Sequence, residues 1–234
     1  MNQKKYPAIS VIIPAFNEQD SIAKVIRDIP SDWVDEIIVV NNNSSDRTAD
    51  SAKIAGATVL NENKKGYGRA CLKGIDYALQ KKTEIIVFLD GDYSDYPNQL
   101  PSIVDPILTK NMDMVIGSRA LGKREKGSMT IPQIFGNWLA TRLMLVFYGA
   151  KFTDLGPFRA IKVEALRRLK MSDKTYGWTI EMQIKAAKYK LNFCEVPVDY
   201  RNRIGVSKVS GTVKGTIMAG IKIIFAVFKY KFSK

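Results

Sequence analysis

The chain has 234 residues, 46% of them hydrophobic and 25% charged, which suits one large folded domain and excludes a disordered or low-complexity chain. Its net charge of +13 asks for an anionic partner: a phospholipid surface, a phosphorylated substrate or nucleic acid. There is no histidine and there are only two cysteines, Cys71 and Cys194, so a zinc site, a disulfide framework and imidazole catalysis are excluded.

Both cysteines fall in apolar-patterned stretches and read as buried free thiols of an intracellular chain. With carboxylates as the remaining metal ligands, a bound cation would be Mg2+ or Mn2+.

In chain order, Ala8 to Ile13 is a continuous apolar strand ending at Pro14. Ile22, Val25, Ile26 and Ile29 repeat at helical spacing and stop at Pro30. Glu36 to Val40 is a second strand. Asp46 to Ala55 is an alanine-lined helix closed by Gly56, and Thr58 to Leu60 a short strand. Cys71, Ile75, Ala78 and Leu79 line another helix. Ile85 to Leu89 is the most apolar strand, followed by a helix over Leu100 to Leu108 that Pro106 should distort, and by a strand at Met114 to Ile116. The second half holds an aromatic, apolar stretch from Ile131 to Phe152, amphipathic helices over Lys162–Lys170 and Thr179–Tyr189, and a strand over Asn192 to Tyr200. The alternation predicts an α/β fold: a mostly parallel, Rossmann-like sheet flanked by helices. Residues 1–210 form the domain. Residues 211–234 form a basic amphipathic helical tail, too interrupted by lysine to span a bilayer and suited to lie in an anionic membrane interface.

Ligands of such sheets bind at the carboxyl ends of the strands, so the loops there carry the chemistry. Asp90-Gly91-Asp92 directly follows the apolar strand, and two carboxylates at that spacing can share one small space and one hard cation. Pro14-Ala15-Phe16-Asn17-Glu18 leaves the first strand. There Asn17 is a candidate helix cap, Glu18 suits the helix dipole, and either is a candidate contact for a base or ribose. Asn41 to Asp46 is a dense polar cluster in which Asp46 is a candidate cap and Asn41 and Asn42 candidate readers of a nucleobase edge. Lys64 to Ala70 is a glycine-bearing basic loop before a helix, a candidate phosphate cradle involving Gly66 and Arg69.

Taken with Gly117-Ser118-Arg119, this ordered set resembles the family 2 glycosyltransferases of GT-A fold. Thr153 to Arg159, Gly177 to Met182 and Arg203 to Lys208 resemble the dolichol-phosphate mannose synthase-like branch, so the likeness covers nearly the whole chain. The resemblance implies transfer of a sugar, with inversion, from a nucleotide-diphosphate donor to a polyprenyl phosphate. It places Pro14, Ala15, Glu18, Asn41 and Asp90 around the nucleotide, and Asp92 on the metal that bridges the diphosphate. Arg203, Ser207 and Lys208 would form a loop closing over the phosphates, and Arg119 would face the acceptor phosphate. Asn41 and Asn42 stand where the family usually has paired aspartates. Ser94 stands where the branch has a metal-binding glutamine, so that Asp90, Asp92 and Ser94 would be the metal set, completed by water or Asp95. A hydroxyl acceptor, the alternative, needs a general base, for which Asp154 and Glu181 are the candidates. The expected location is the cytoplasmic face of the membrane, by peripheral binding or beside a membrane-protein partner. A nucleic-acid-binding protein, suggested by charge alone, lacks any recognised module and no nucleic acid is expected.

Overall fold

The computed structural model describes residues 6–205 and 224–231. Seven strands form one sheet: β1 (Ile9–Ala15), β2 (Glu36–Asn41), β3 (Thr58–Asn61), β4 (Ile85–Phe88), β5 (Met114–Ser118), β6 (Arg159–Lys162) and β7 (Phe193–Pro197), in the order β3-β2-β1-β4-β6-β5-β7. The sheet is mostly parallel, as the alternation predicts. The exception is β6, which runs antiparallel to both β4 and β5, with Phe88 and Ile116 opposite Arg159. This strand is not legible from its residues, because Arg-Ala-Ile-Lys is short and carries a charge at each end. Its Arg159 is nevertheless fully buried: the guanidinium donates to the carbonyls of Leu155, Gly156 and Thr179, and burial lowers its pKa to about 10.

All four side chains of β4 are buried, each worth about 1.5–3 kcal/mol relative to exposure. That burial is possible because helices cover both faces. On one face lie α1 (Ile22–Asp28), α2 (Thr48–Ile54) and α4 (Leu100–Thr109), which packs Leu100, Ile103, Val104 and Ile107 on Val87 and Val115. Pro106 lies inside α4 and the helix continues through it to Thr109. On the other face lie α3 (Tyr67–Gln80), α5 (Ile131–Tyr148), α6 (Val163–Leu169) and α7 (Trp178–Lys188), built around Cys71, Phe88, Met144 and Trp178. Cys71 is buried as expected, whereas Cys194 is only half-buried; both are free thiols.

Helix α5 opens with a reciprocal cap in which the Gln133 N–H donates to the Thr130 hydroxyl and the Gln133 side chain accepts from the Thr130 N–H. It closes at Gly149, whose φ of 65° lies in the left-handed region. A last helical segment, residues 224–231, packs Ala226, Val227 and Tyr230 against the domain. The tail beyond the core is therefore docked where it is described. No helix among the described residues is long and apolar enough to cross a membrane.

Candidate functional site

The carboxyl ends of β1, β2 and β4 surround a cavity of about 390 Å3 lined by Pro14, Ala15, Phe16, Glu18, Asn42, Lys65, Gly66, Tyr67, Asp90, Gly91, Asp92, Tyr176 and Arg203. Asp90 and Asp92 leave the end of β4 together, as their spacing requires. A Cβ added at Gly91 would meet Ile22, Ala15 and Ile13 at ordinary contact distance, so this glycine is not required by any clash with the protein.

Burial and then the charge of Asp92 push the Asp90 carboxyl up to about 7, against the hydrogen bond from Tyr67 and the positive charges of Arg203 and Arg119. Two carboxylates in this relation fit a divalent cation, whose charge would relieve both burial and mutual repulsion. Among the described residues no group of three or more acidic, cysteine or histidine side chains is placed to hold a metal, so a cation here would have this pair as its carboxylates. Ser94 does not join it. Its side chain is buried behind Asp92, and both its N–H, at 2.9 Å, and its hydroxyl donate to Asp92 Oδ1. Asp95 has both carboxyl oxygens buried and, among the described residues, without a hydrogen-bond partner, and burial followed by the charges of Asp90 and Asp92 raises its pKa well above the usual carboxylate range.

Arg203 reaches into the cavity from the chain after β7. Its guanidinium lies 3.1 Å from Asp92 and 3.3 Å from Glu18, and the Ile204 N–H donates to the Asp92 carbonyl. Glu18 is thus a cavity residue rather than a surface charge at a helix start. The next turn back, Arg201 stacks on Tyr93 at 3.3 Å and donates to the carbonyls of Tyr93 and Asp95, which lays the 200–204 segment along the Asp92 loop. Ser207 and Lys208 lie outside the described residues.

Several sequence assignments change. Asn17 does not cap α1, which starts at Ile22; its φ is 55°, its N–H donates to the Ser44 hydroxyl and its Oδ1 accepts from the Ser45 N–H, tying two strand-end loops together. Asn41 does not line the cavity. It spends its amide on Asn61 and on the Ser44 N–H. Asn42 does line it, but its Oδ1 accepts from the Gly66 N–H at 2.7 Å and its Nδ2 donates to the carbonyls of Glu62 and Lys64. A carboxylate could not donate to those two carbonyls, so these contacts call for an amide. Asp46 sits one residue before the N-cap of α2, where its Oδ1 accepts from the Thr48 N–H. Arg69 points away from the cavity into a groove on the outer side of α3 that it shares with Leu72, Lys73 and Lys174.

Two candidate bases are also committed elsewhere. Asp154 is buried and holds Arg119 in a two-pronged ion pair at 2.7 and 2.8 Å, reinforced by the Arg119 N–H. Burial would lower the Arg119 pKa, but Asp154 outweighs it and the net shift is upward. Arg119 therefore faces Asp154 rather than an open acceptor space. Glu181, in the first turn of α7, is fully buried. It accepts from the Ser172 and Asp173 N–H groups, the Ser172 and Tyr230 hydroxyls and Lys185 Nζ, and these outweigh burial to hold it below the usual carboxylate range.

Phe16, Lys65, Tyr67 and Tyr176 are cavity residues that the sequence reading did not assign. Lys65 Nζ sits 4.7 Å over the Phe16 ring and the Tyr67 hydroxyl donates to Asp90 at 3.0 Å. The aromatic within Gly66-Tyr67-Gly68 was the available signal for Tyr67.

Residues 10–170 match the family model described as glycosyl transferase family 2. An uncharacterized glycosyltransferase of Mycobacterium tuberculosis is 34% identical over 216 residues, 91% of this chain and 94% of that protein. The undecaprenyl-phosphate mannosyltransferase of Micrococcus luteus is 28% identical over 226 residues, covering 91% and 92%. Among solved structures, glucosyl-3-phosphoglycerate synthase from Mycobacterium tuberculosis, in complex with Mn2+, uridine diphosphate and glucosyl-3-phosphoglycerate, superposes with a TM-score of 0.77 at 23% identity, covering 97% of this chain and 80% of that one. The fold is accordingly the GT-A glycosyltransferase fold.

Proposed function

Since the chain belongs to glycosyl transferase family 2, we propose that it moves a sugar, with inversion, from a nucleotide-diphosphate donor to a polyprenyl phosphate at a membrane surface. The observation that carries this reading is the cavity at the sheet's carboxyl edge, where Asp90, Asp92 and Arg203 converge. Asp90 and Asp92 would hold Mg2+ or Mn2+, and that ion would supply Lewis-acid stabilisation of the departing diphosphate. Arg203, already poised between Asp92 and Glu18, supplies a positive charge where phosphate oxygens accumulate charge as the sugar leaves. The cavity walls Pro14, Ala15 and Phe16 give the nucleoside an apolar side, with Lys65 above the ring.

A phosphate acceptor arrives ionised and needs no general base. That agrees with the commitment of Asp154 to Arg119 and of Glu181 to five donors. A lipid acceptor agrees with α5, whose Ile131, Phe135, Trp138 and Val146 are exposed by 83, 59, 52 and 75%. Asn137 in the middle of that helix donates to the Thr153 carbonyl and accepts from the Leu155 N–H, which ties α5 to the segment carrying Asp154. Phe225 and Phe228 of the last helical segment are exposed as well, and Phe228 meets Phe147 at 5.1 Å. With the net charge of +13, these faces suit an anionic bilayer. Relatives named for lipid phosphates, the Micrococcus luteus enzyme and the UDP-N-acetylglucosamine–dolichyl-phosphate N-acetylglucosaminyltransferase of Methanococcus voltae (27% identical, covering 97% of each chain), support the same reading.

The test is a transfer assay with MnCl2, a panel of nucleotide sugars, and undecaprenyl phosphate against soluble saccharide acceptors. Transfer to the lipid phosphate is expected; transfer to a saccharide hydroxyl alone would overturn the acceptor. Flotation with anionic liposomes, comparing the full chain with one ending at Ser210 and with a Phe135→Ser/Trp138→Ser variant, reports on the membrane surface.

A further inference from the structure

We propose that Tyr67 is a positioning residue for the donor's metal: its phenol holds one oxygen of Asp90 so that the other stays available to the cation. The inference rests on the metal-dependent reading above and deepens it.

The glycine-bearing loop before α3 has the composition of a phosphate cradle, yet three of its N–H groups are already spent. Gly66 N–H donates to Asn42 Oδ1 at 2.7 Å, Gly68 N–H to the Thr175 carbonyl at 3.2 Å and Arg69 N–H to the Lys174 carbonyl at 3.2 Å. A helix start normally leaves these donors open for an anion. Here the 174–175 segment takes them, and it lies so close that a side chain at Gly68 would overlap the Asp173 carbonyl. Arg69 faces the outer groove. What the loop contributes beside the acid pair is therefore the Tyr67 side chain, with Lys65 on the far side over Phe16.

The Tyr67 hydroxyl donates to Asp90 Oδ1 at 3.0 Å, and this is the only hydrogen bond the Asp90 side chain makes among the described residues. Asp92, one residue from Asp90 across Gly91, repels it. A carboxylate in that position with no tether turns away from its neighbour. The phenol supplies the tether, and the backbone on either side of Tyr67 is pinned, at Gly66 by Asn42 and at Gly68 and Arg69 by the 174–175 carbonyls. Oδ1 is occupied by a neutral donor, which leaves Oδ2 for a positive ligand.

The experiment uses the full chain carrying Tyr67→Phe, which keeps the ring and removes only the hydroxyl. Binding of UDP and GDP is measured by titration calorimetry, once with MnCl2 and once with EDTA. The expected result is nucleotide affinity about tenfold weaker with Mn2+, the scale of one hydrogen bond to a charged group, and less than twofold weaker in EDTA. In the transfer assay the donor KM rises while the acceptor KM holds. An equal loss in EDTA would show that the phenol touches the nucleotide itself and would overturn the proposal, as would unchanged affinity with Mn2+. A wild-type chain that binds neither nucleotide, with or without Mn2+, overturns the donor reading and this inference together. A wild type that binds with Mn2+ alongside an unaffected variant removes only the role of Tyr67.

Discussion

Two acid–cation pairs in this molecule have nearly the same covalent chemistry and opposite surroundings. Asp92 and Arg203 meet in the cavity at 3.1 Å, with the guanidinium shared with Glu18 and its Nε buried without a partner among the described residues. Glu181 and Lys185 meet at 2.7 Å under the last helical segment, where four further donors saturate the acid. The first pair is under-satisfied beside open space, next to an Asp90 whose ionisation burial opposes; the second lacks nothing and faces no space. What separates a site that binds from a joint that holds is unspent hydrogen-bonding capacity at a cavity, not the presence of charge.

The sharpest way to break that contrast is to remove one acid from each pair. Asp92→Ala should lower transfer by about a hundredfold or more in a purified-enzyme assay with added Mn2+, because the cation that would stabilise the leaving group loses a ligand. Its thermal midpoint should fall less than that of Glu181→Ala, since only Ser94 and Arg203 lose a partner. Activity near wild type would remove Asp92 from the site. Glu181→Ala should do the reverse, destabilising by about 3–5 kcal/mol in urea unfolding as Lys185 and several donors lose their partner. The fraction that remains folded should keep its donor KM, and a selective loss of kcat in folded protein would restore Glu181 as a base.

Next in size is a pH effect confined to the cavity. Asp90 has its pKa raised from 3.8 to about 7, so between those values the folded chain binds a proton that the unfolded chain has lost. The group's contribution to stability is therefore fully present below pH 4 and is lost as pH rises through 7. Metal binding needs the ionised form, so affinity for Mn2+ with nucleotide should climb from pH 6 to pH 8 and level off above it. Asp90→Asn should flatten that profile in calorimetry; an unaltered slope would assign the titration elsewhere. The smallest effect belongs to the joint. Tyr230→Phe removes one hydroxyl from Glu181 and should cost about 1.5–3 kcal/mol of unfolding free energy without altering nucleotide affinity.

The strand-end logic was readable because β4 is apolar at every position and the acid pair follows it without a gap. The asparagines were less readable. Nothing local tells whether an amide in a polar loop faces a ligand or a neighbouring carbonyl, and Asn42 depends on Glu62, Lys64 and Gly66, twenty and more residues away. Glu181 looked like an exposed charge on an amphipathic helix because its partners Ser172 and Tyr230 come from a preceding loop and from 49 residues downstream. Arg159 hid β6 because an arginine satisfied entirely by backbone carbonyls breaks the rule that core strands are apolar. Tyr67 was visible in the glycine loop, but its attachment to Asp90 requires knowing that α3 starts beside the end of β4.

The reversed strand has a consequence for how the rim of the sheet is populated. Because β6 enters at Arg159 opposite Phe88 and Ile116, the stretch that feeds it, with Asp154, arrives at the same border from which the Asp90–Asp95 and Ser118–Arg119 loops depart. One inverted strand thus lets outgoing and incoming chain meet side by side, so that segments far apart in sequence share a single shoreline without any helix having to carry the chain back across the sheet.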